Sequence, residues 1–437
     1  MSKHLRSVVH KVEKLLPQKV SSVLFGNREL LKAQDITITQ QREEMEKLQE
    51  RNNEWEREVR ALRHEDEKMY IVLPVSKQDL QKAIIPLKNK VRRAVAGSEP
   101  GVNTISWIIP PMGPVSGGHT TIFRTIQGLE RNGFKCKVYV YDPQNTTSLE
   151  AIKQTLSTYP KINAEIVYNE KTIESCSALF ATNWYTAYPA YNSNATTNKF
   201  YFIQDFEPLF DVAGSYSTLA DNTYKFGFHG ITLGSWMKNK LETEYDMQCN
   251  NFDLRVNKQE YSLANTSPRQ KVVFYARPVT PRRGFELGVL ALEIFHKKHP
   301  NVEIHMVGWD VSRYDIPFEY INHGIINTEE LNQLYNECAA GLVLSFTNMS
   351  LLPLEMMAAG CIPVVNDAKH TRDVGYAKYI DYVLPTPSQL ADGLYAATQK
   401  SDMDGYVREM SEYTKSFSWG DFDDRLAEIV ANKINNN

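Results

Sequence analysis

Two Rossmann-like, doubly wound α/β domains facing a cleft, preceded by an N-terminal helical extension, are the architecture predicted by this 437-residue sequence. Three observations predict it. The texture changes from charged and glycine-poor to alternating apolar runs at Gly97-Ser-Glu-Pro-Gly101. Beyond that point, strand-like and helix-like segments alternate, which is the pattern of a parallel sheet with right-handed crossovers. The alternation then pauses in a polar stretch, Asn251 to Gln270, and starts again. The expected boundaries are a helical extension over 1–98, a first α/β domain over 99–252, and a second over 253–437 that ends in a helix.

The extension is read from helical periodicity. Leu5, Val8, Val9, Val12, Leu15 and Leu16 fall on one helical face, with Lys3, Arg6, Lys11 and Lys14 elsewhere, until Pro17 stops the helix. Met45, Leu48, Asn52, Trp55, Val59 and Leu62 alternate three and four apart between Thr39 and Lys68. That spacing is a short heptad seam with one polar position, suited to a coiled coil and a homodimer, or to packing on the chain's own domain. The basic first helix, with Lys77, Lys82, Lys88, Lys90, Arg92 and Arg93 further on, suits peripheral contact with an anionic membrane face, or simply a solvated surface.

In the first α/β domain, Thr104–Ile109 reads as a buried strand, followed by a glycine-rich turn and a helix from Thr120 to Asn132. Gly133 ends that helix before the strand Lys137–Tyr141. Further strands are expected at Glu165–Tyr168, Ala178–Ala181, Lys199–Ile203 and Gly230–Leu233. In the second domain the expected order is strand Lys271–Tyr275, helix Gly284–His299, strand Val302–Val307, helix Thr328–Glu337, strand Gly341–Leu344, helix Leu351–Ala359 and strand Ile362–Val365. Ligands of such sheets bind at the carboxyl ends of the strands.

Composition bounds the partners. A 42% hydrophobic and 23% charged chain is of globular type, and a net charge of -3 gives no field that would draw nucleic acid. Cys136, Cys176, Cys249, Cys338 and Cys361 are odd in number and lack C-x-x-C spacing, which argues against a disulfide framework or a zinc site. No apolar run reaches the roughly 20 residues that span a bilayer, and Met1-Ser-Lys-His-Leu lacks a signal-peptide core, so a cytoplasmic protein is expected.

Three segments carry chemistry. In Ser345 to Val365 a buried strand ends in a polar loop, and a helix opens near Ser350-Leu351-Leu352. Its exposed amides and dipole suit a diphosphate, and Glu355 is placed to accept hydroxyls of a ribose or sugar. A capped surface helix would look the same. In Phe274-Tyr-Ala-Arg277-Pro-Val-Thr-Pro-Arg282-Arg283-Gly284, a strand end delivers one arginine and a helix start two more. Forked, permanent cations suit a leaving diphosphate. In Pro114-Val-Ser-Gly117-Gly118-His119, paired glycines let backbone approach a ligand, and His119 stands at a helix start. The loops Val307-Gly308-Trp309 and Gly324-Ile325 are expected at the nucleotide base.

In this order and spacing, the three segments resemble the large retaining glycosyltransferase family four of GT-B fold. Its pattern is a Gly-Gly loop, an Arg with a Lys five residues on, and Glu-x7-Glu. The resemblance spans roughly residues 102–436, with two departures: arginine (Arg282 or Arg283) replaces lysine, and Thr347 stands where the first acid belongs. The loss of that acid implies a different transferred sugar, such as a deoxysugar. Ala181-Thr-Asn-Trp184-Tyr185-Thr-Ala187, Tyr201-Phe-Ile-Gln204-Asp205-Phe-Glu207-Pro and Tyr224-Lys-Phe-Gly-Phe-His-Gly-Ile231 resemble the bacterial rhamnosyltransferases of rhamnan and S-layer glycan assembly.

That resemblance implies a dTDP-L-rhamnose donor, a growing rhamnan acceptor and an N-terminal helical extension; a lipid-linked acceptor and a place at the inner membrane face are separate expectations. Arg277, Arg282 and Glu355 would be catalytic. Gly117, Gly118, His119, Arg283, Gly308, Trp309, Ser350, Leu351 and Leu352 would hold the donor. Gln204, Asp205, Glu207, Trp184 and Tyr185 would meet the acceptor, with Asp205 as hydrogen-bonding group or general base. No cofactor or metal is expected: Asp421-Phe-Asp423, the nearest thing to an Asp-x-Asp clamp, lies in the C-terminal tail. Two rival readings are a nucleotide-sugar epimerase of the same architecture and a non-catalytic coiled-coil scaffold.

Overall fold

A computed structural model describes residues 73–85, 103–113, 116–253, 255–265, 268–373, 377–416 and 419–435. The amphipathic first helix, the heptad seam and Lys88 to Arg93 lie outside them. A short helix α1 (Lys77–Lys82), capped by Ser76, opens the described chain. The first sheet then alternates as β1 (Thr104–Ile109), α2 (Gly117–Arg131), β2 (Lys135–Val140), α3 (Leu149–Leu156), β3 (Glu165–Tyr168), β4 (Ala178–Ala181), α4 (Trp184–Asn192), β5 (Lys199–Ile203), α5 (Ser215–Thr223), β6 (His229–Leu233), α6 (Ser235–Tyr245) and β7 (Cys249–Phe252). Every pairing is parallel, in the order β3-β2-β1-β4-β5-β6-β7. The order reverses between β1 and β4, which opens a crevice at their carboxyl ends.

The second sheet repeats the scheme: β8 (Lys271–Tyr275), α7 (Phe285–Lys298), β9 (Glu303–Val307), β10 (Ile321–Asn322), α8 (Thr328–Glu337), β11 (Cys338–Val343), α9 (Leu352–Ala359), β12 (Ile362–Asn366), α10 (Lys369–Arg372) and β13 (Asp381–Val383). Its order is β10-β9-β8-β11-β12-β13, again all parallel, with the reversal between β8 and β11. Helices α11 (Pro387–Thr398), α12 (Met403–Lys415) and α13 (Trp419–Asn435) complete the chain. The doubly wound α/β class with two facing sheets is therefore what the sequence forms.

The elements follow from their residues. In α2, Ile122, Phe123, Ile126 and Leu129 recur at helical spacing and are buried against the sheet. Asn132 ends it, and Gly133 takes the left-handed φ of 84° that turns the chain into β2. Trp107 on β1 stacks on Phe180 of β4, which stacks on Phe200 of β5, a ladder across the switch point.

Two boundaries differ from the sequence reading. Residues 73–85, assigned to the extension, pack on the first α/β domain: Val75 is buried there, and Tyr141 donates to Asp79 (2.8 Å) while Tyr191 donates to the Ile84 carbonyl (2.7 Å). The last helix, assigned to the second domain, returns to the first. Asp423 pairs with Arg131 of α2 at 2.6 Å, and Phe422 packs edge-on against Phe252. Both reassignments have the same cause, since apolar faces too short for a core of their own must borrow one. Through Phe252, Val256, Tyr261 and Phe422, one contiguous apolar core reaches both sheets.

Candidate functional site

The carboxyl end of the second sheet gathers the basic groups. β8 ends at Tyr275, and Arg277 follows with its guanidinium donating to the Gly308 carbonyl at 3.5 Å and lying 5.8 Å from the Trp309 ring. Gly308 has φ 105°, and a Cβ there would meet the Tyr275 ring at 2.9 Å, so glycine is needed for the β9 loop to come so close. A single 3-10 turn, Pro281–Arg283, ends in Gly284 at φ 58°, where a Cβ would strike Phe346. This turn sends its two arginines to different partners. Arg283 donates to Ser345 Oγ at 2.8 Å. Arg282 stacks over the Phe210 ring at 4.0 Å, with Nε 3.4 Å from Asp205 Oδ2.

The loop from β11 to α9 is held by hydrogen bonds. Asn366 accepts from the Ser345 amide and donates to its carbonyl, both at 2.7 Å, and Ser345 Oγ donates to the Asn348 carbonyl at 2.8 Å. Helix α9 then opens at Leu352 with no side-chain cap. Glu355 stands in its first turn, half-buried, beside Arg124, Glu260 and the Tyr261 hydroxyl. Burial pushes its carboxyl up to about 7, with Arg124 opposing. Tyr275 feels Arg277, Glu355 and Arg283 together, which places the three charges in one neighbourhood.

On the first sheet, Ser116 caps α2 by accepting from the His119 amide at 3.4 Å. Both His119 ring nitrogens are engaged, Nδ1 with Ser116 Oγ at 3.0 Å and Nε2 with the Pro110 carbonyl at 3.3 Å. Burial lowers its pKa, so the ring is held neutral. Gln204 donates to the Gly118 carbonyl at 3.1 Å, while a Cβ on Gly117 would meet nothing within 4 Å.

The carboxylates after β5 are occupied by protein. Asp205 Oδ1 accepts from the amides of Phe206 and Asn348, both at 2.8 Å, and Oδ2 accepts from Thr347 Oγ1 at 2.9 Å. Glu207 is only 5% exposed and turns into the first domain, where the Trp184 amide and the Tyr201 hydroxyl (3.1 Å) donate to it. Burial pushes its carboxyl up to about 8. Trp184 is buried too, edge-on to Tyr185, Tyr188 and Tyr216. Glu207 and Trp184, expected on the acceptor surface, are thus core groups that cap and pack α4. Thr347, which stands where the family's first acid belongs, spends its hydroxyl on Asp205.

The structure thus brings Gln204, Asp205, Arg282, Arg283 and the 345–348 loop together across the two sheets, with Arg277, Gly308, Trp309 and Glu355 at the second sheet's own end. Asn348, Tyr261 and the Arg124–Glu260 ion pair (2.8 Å) went unmarked in the sequence. Each acts through a partner distant along the chain, so no local pattern announces it. Among the described residues, no group of three or more His, Cys, Asp or Glu could hold a metal ion.

Comparisons with known proteins agree with this architecture. Residues 270–395 match the family model described as WsaF, C-terminal domain. The O-antigen biosynthesis protein RfbC of Myxococcus xanthus is 31% identical over 350 residues, 76% of this chain. The chain spans about a quarter (27%) of that relative's length. Among solved structures, TarM aligns with a TM-score of 0.61 at 9% identity, covering 77% of this chain and 99% of that one. Anabaena Alr3699/HepE, solved in complex with UDP and glucose, aligns at 0.59 with 12% identity over 75% of this chain and 99% of its own. Sucrose-phosphate synthase from Thermosynechococcus elongatus aligns at 0.56 with 12% identity over 77% and 100%. At such identities the likeness is one of fold.

Proposed function

We propose that this chain is a glycosyltransferase of polysaccharide biosynthesis, transferring a sugar from a nucleoside diphosphate donor to a growing surface glycan. The observation that carries the reading is the end of the second sheet: Arg277, Arg282, Arg283, the uncapped start of α9 and Glu355 converge where a doubly wound sheet binds its ligand. Similarity to WsaF and RfbC supports the same reading.

At the finer level the donor is dTDP-L-rhamnose and the acceptor a lipid-linked rhamnan, met at the inner membrane face with the basic N-terminal segment as contact. Arg277 and Arg283 hold the diphosphate, with the α9 amides beside them. Glu355 accepts hydroxyls of the donor ribose or sugar, and the Gly308–Trp309 turn meets the base. The diphosphate leaves from the face on which the acceptor hydroxyl attacks, and its own oxygen takes the acceptor proton. Configuration at the sugar is then retained without an enzymic nucleophile. Growing negative charge on the leaving oxygen is met by fixed guanidinium groups and the helix dipole, with no metal expected.

The test is direct. The protein is mixed with dTDP-L-rhamnose and a synthetic rhamnosyl acceptor, with and without EDTA, and the product anomer is read by NMR. Retained transfer that survives EDTA supports the donor, the configuration and the metal-free chemistry. Epimerised free donor, or bound but unreacted donor, would refute it.

A further inference from the structure

Asn348 belongs to the second domain but makes its side-chain bonds to the first. Its amide nitrogen donates to the Gln204 carbonyl at 2.9 Å and to the Leu233 carbonyl at 2.8 Å, so one side chain bridges the ends of β5 and β6. Its backbone N–H and the Thr347 hydroxyl both close on Asp205. Thr347 is 1% exposed, Asn348 3% and Asp205 9%, so the bonds are made away from water. Buried polar groups of this kind are costly to leave unpaired. The clasp sits on the loop that delivers α9, three residues before Leu351, and α9 has no side-chain cap of its own to fix its entry.

We propose that Asn348, Thr347 and Asp205 form a positioning clasp by which the first domain sets the diphosphate-binding loop of the second. The donor site is then complete only while the clasp is closed. Asp205 is accordingly a positioning residue, its oxygens directed at the loop and not at the acceptor. This deepens the transferase reading and rests on it for the identity of the loop's ligand; the clasp itself rests on the hydrogen bonds alone.

Full-length wild type, Asn348→Ala, Thr347→Val and the conservative Thr347→Ser are compared by small-angle X-ray scattering and by calorimetric titration with thymidine diphosphate and uridine diphosphate. Asn348→Ala and Thr347→Val are expected to enlarge the radius of gyration and weaken nucleotide binding by about tenfold, the loss of a buried hydrogen bond or two. Thr347→Ser, which restores the hydroxyl, is expected to restore both. In transfer assays KM for the donor rises while kcat at saturation stays within about twofold, because bound nucleotide re-forms the loop. Unchanged scattering and affinity in both Asn348→Ala and Thr347→Val would overturn the clasp. Should wild type bind neither nucleotide, the transferase reading fails and scattering alone decides: enlarged variants uphold the clasp, and unchanged ones reject it.

Discussion

The two strand-end regions that meet across the molecule are built on opposite electrostatic terms. After β5, the carboxylates of Asp205 and Glu207 accept hydrogen bonds from Phe206, Asn348, Thr347, Trp184 and Tyr201, all within the chain. After β8 and β11, Arg277 makes a long bond to the Gly308 carbonyl and meets the Tyr275 hydroxyl, and Glu355 is met by the Tyr261 hydroxyl. A polar group closed in by partners within the chain supports structure, whereas one that keeps a face at the mouth of a sheet is ready for a ligand. The acids near the acceptor side therefore read as scaffold, and the mixed charges of the second sheet as chemistry.

This contrast can be broken by substitution. Arg277→Ala and Glu355→Ala should each lower transfer by about two to three orders of magnitude, the range for lost electrostatic stabilisation of a leaving group, with little change in melting temperature. Steady-state kinetics alongside a thermal melt checks both halves; near-wild-type turnover in either variant would undo the site. Glu207→Ala should do the reverse. Removing a buried acceptor of two donors should cost about 2–4 kcal/mol in urea unfolding and leave kcat of the folded fraction nearly intact.

Acidity gives a smaller, sharper test. With its carboxyl raised to about 7, Glu355 is largely protonated at pH 6 and ionised at pH 8. Since the ionised form accepts donor hydroxyls best, nucleotide-sugar affinity should rise severalfold over that interval, and Glu355→Gln should flatten the profile. The linkage runs the other way for stability. A carboxyl raised in the folded state favours folding below its unfolded value near 4.5, and that advantage is lost as pH climbs through about 7. Glu355→Gln should therefore melt higher than wild type at pH 8 and not at pH 5. Smallest is Arg282→Lys, which keeps the charge but loses the planar stack on Phe210, about 0.5–1 kcal/mol in nucleotide affinity or stability.

What the sequence disclosed follows the same division. Thr104–Ile109, Ala178–Ala181, Lys199–Ile203 and Lys271–Tyr275 were legible residue for residue, because parallel strands covered on both faces read as short apolar runs. β7, Cys-Asn-Asn-Phe, was hidden in a polar stretch because an edge strand needs to bury only its ends. Helix α4 was missed for its aromatics and Pro189, and it forms because Asn183 and Thr186 make a reciprocal capping box. The arginine loop and Glu355 were visible because their chemistry is local. Thr347 was seen only as a missing acid and Asp205 as an acceptor contact, since nothing in a linear sequence tells that two residues 142 positions apart are each other's partner.

Helix α2 has a mechanical consequence. Its first turn opens onto the cleft at Gly117, and its last holds Arg131 against Asp423 of the returning terminal helix. At 1.5 Å per residue, those ends are about 20 Å apart. Ile122, Phe123, Ile126 and Leu129 seat the helix on the first sheet between those ends, so its cleft end and its anchored end belong to one body with that sheet. Gly128 lies beside the anchor because any side chain would collide with the Asp423 carboxylate. A bulkier residue at Gly128 would have to push the terminal helix off α2, and the seam between the two helices would carry that strain.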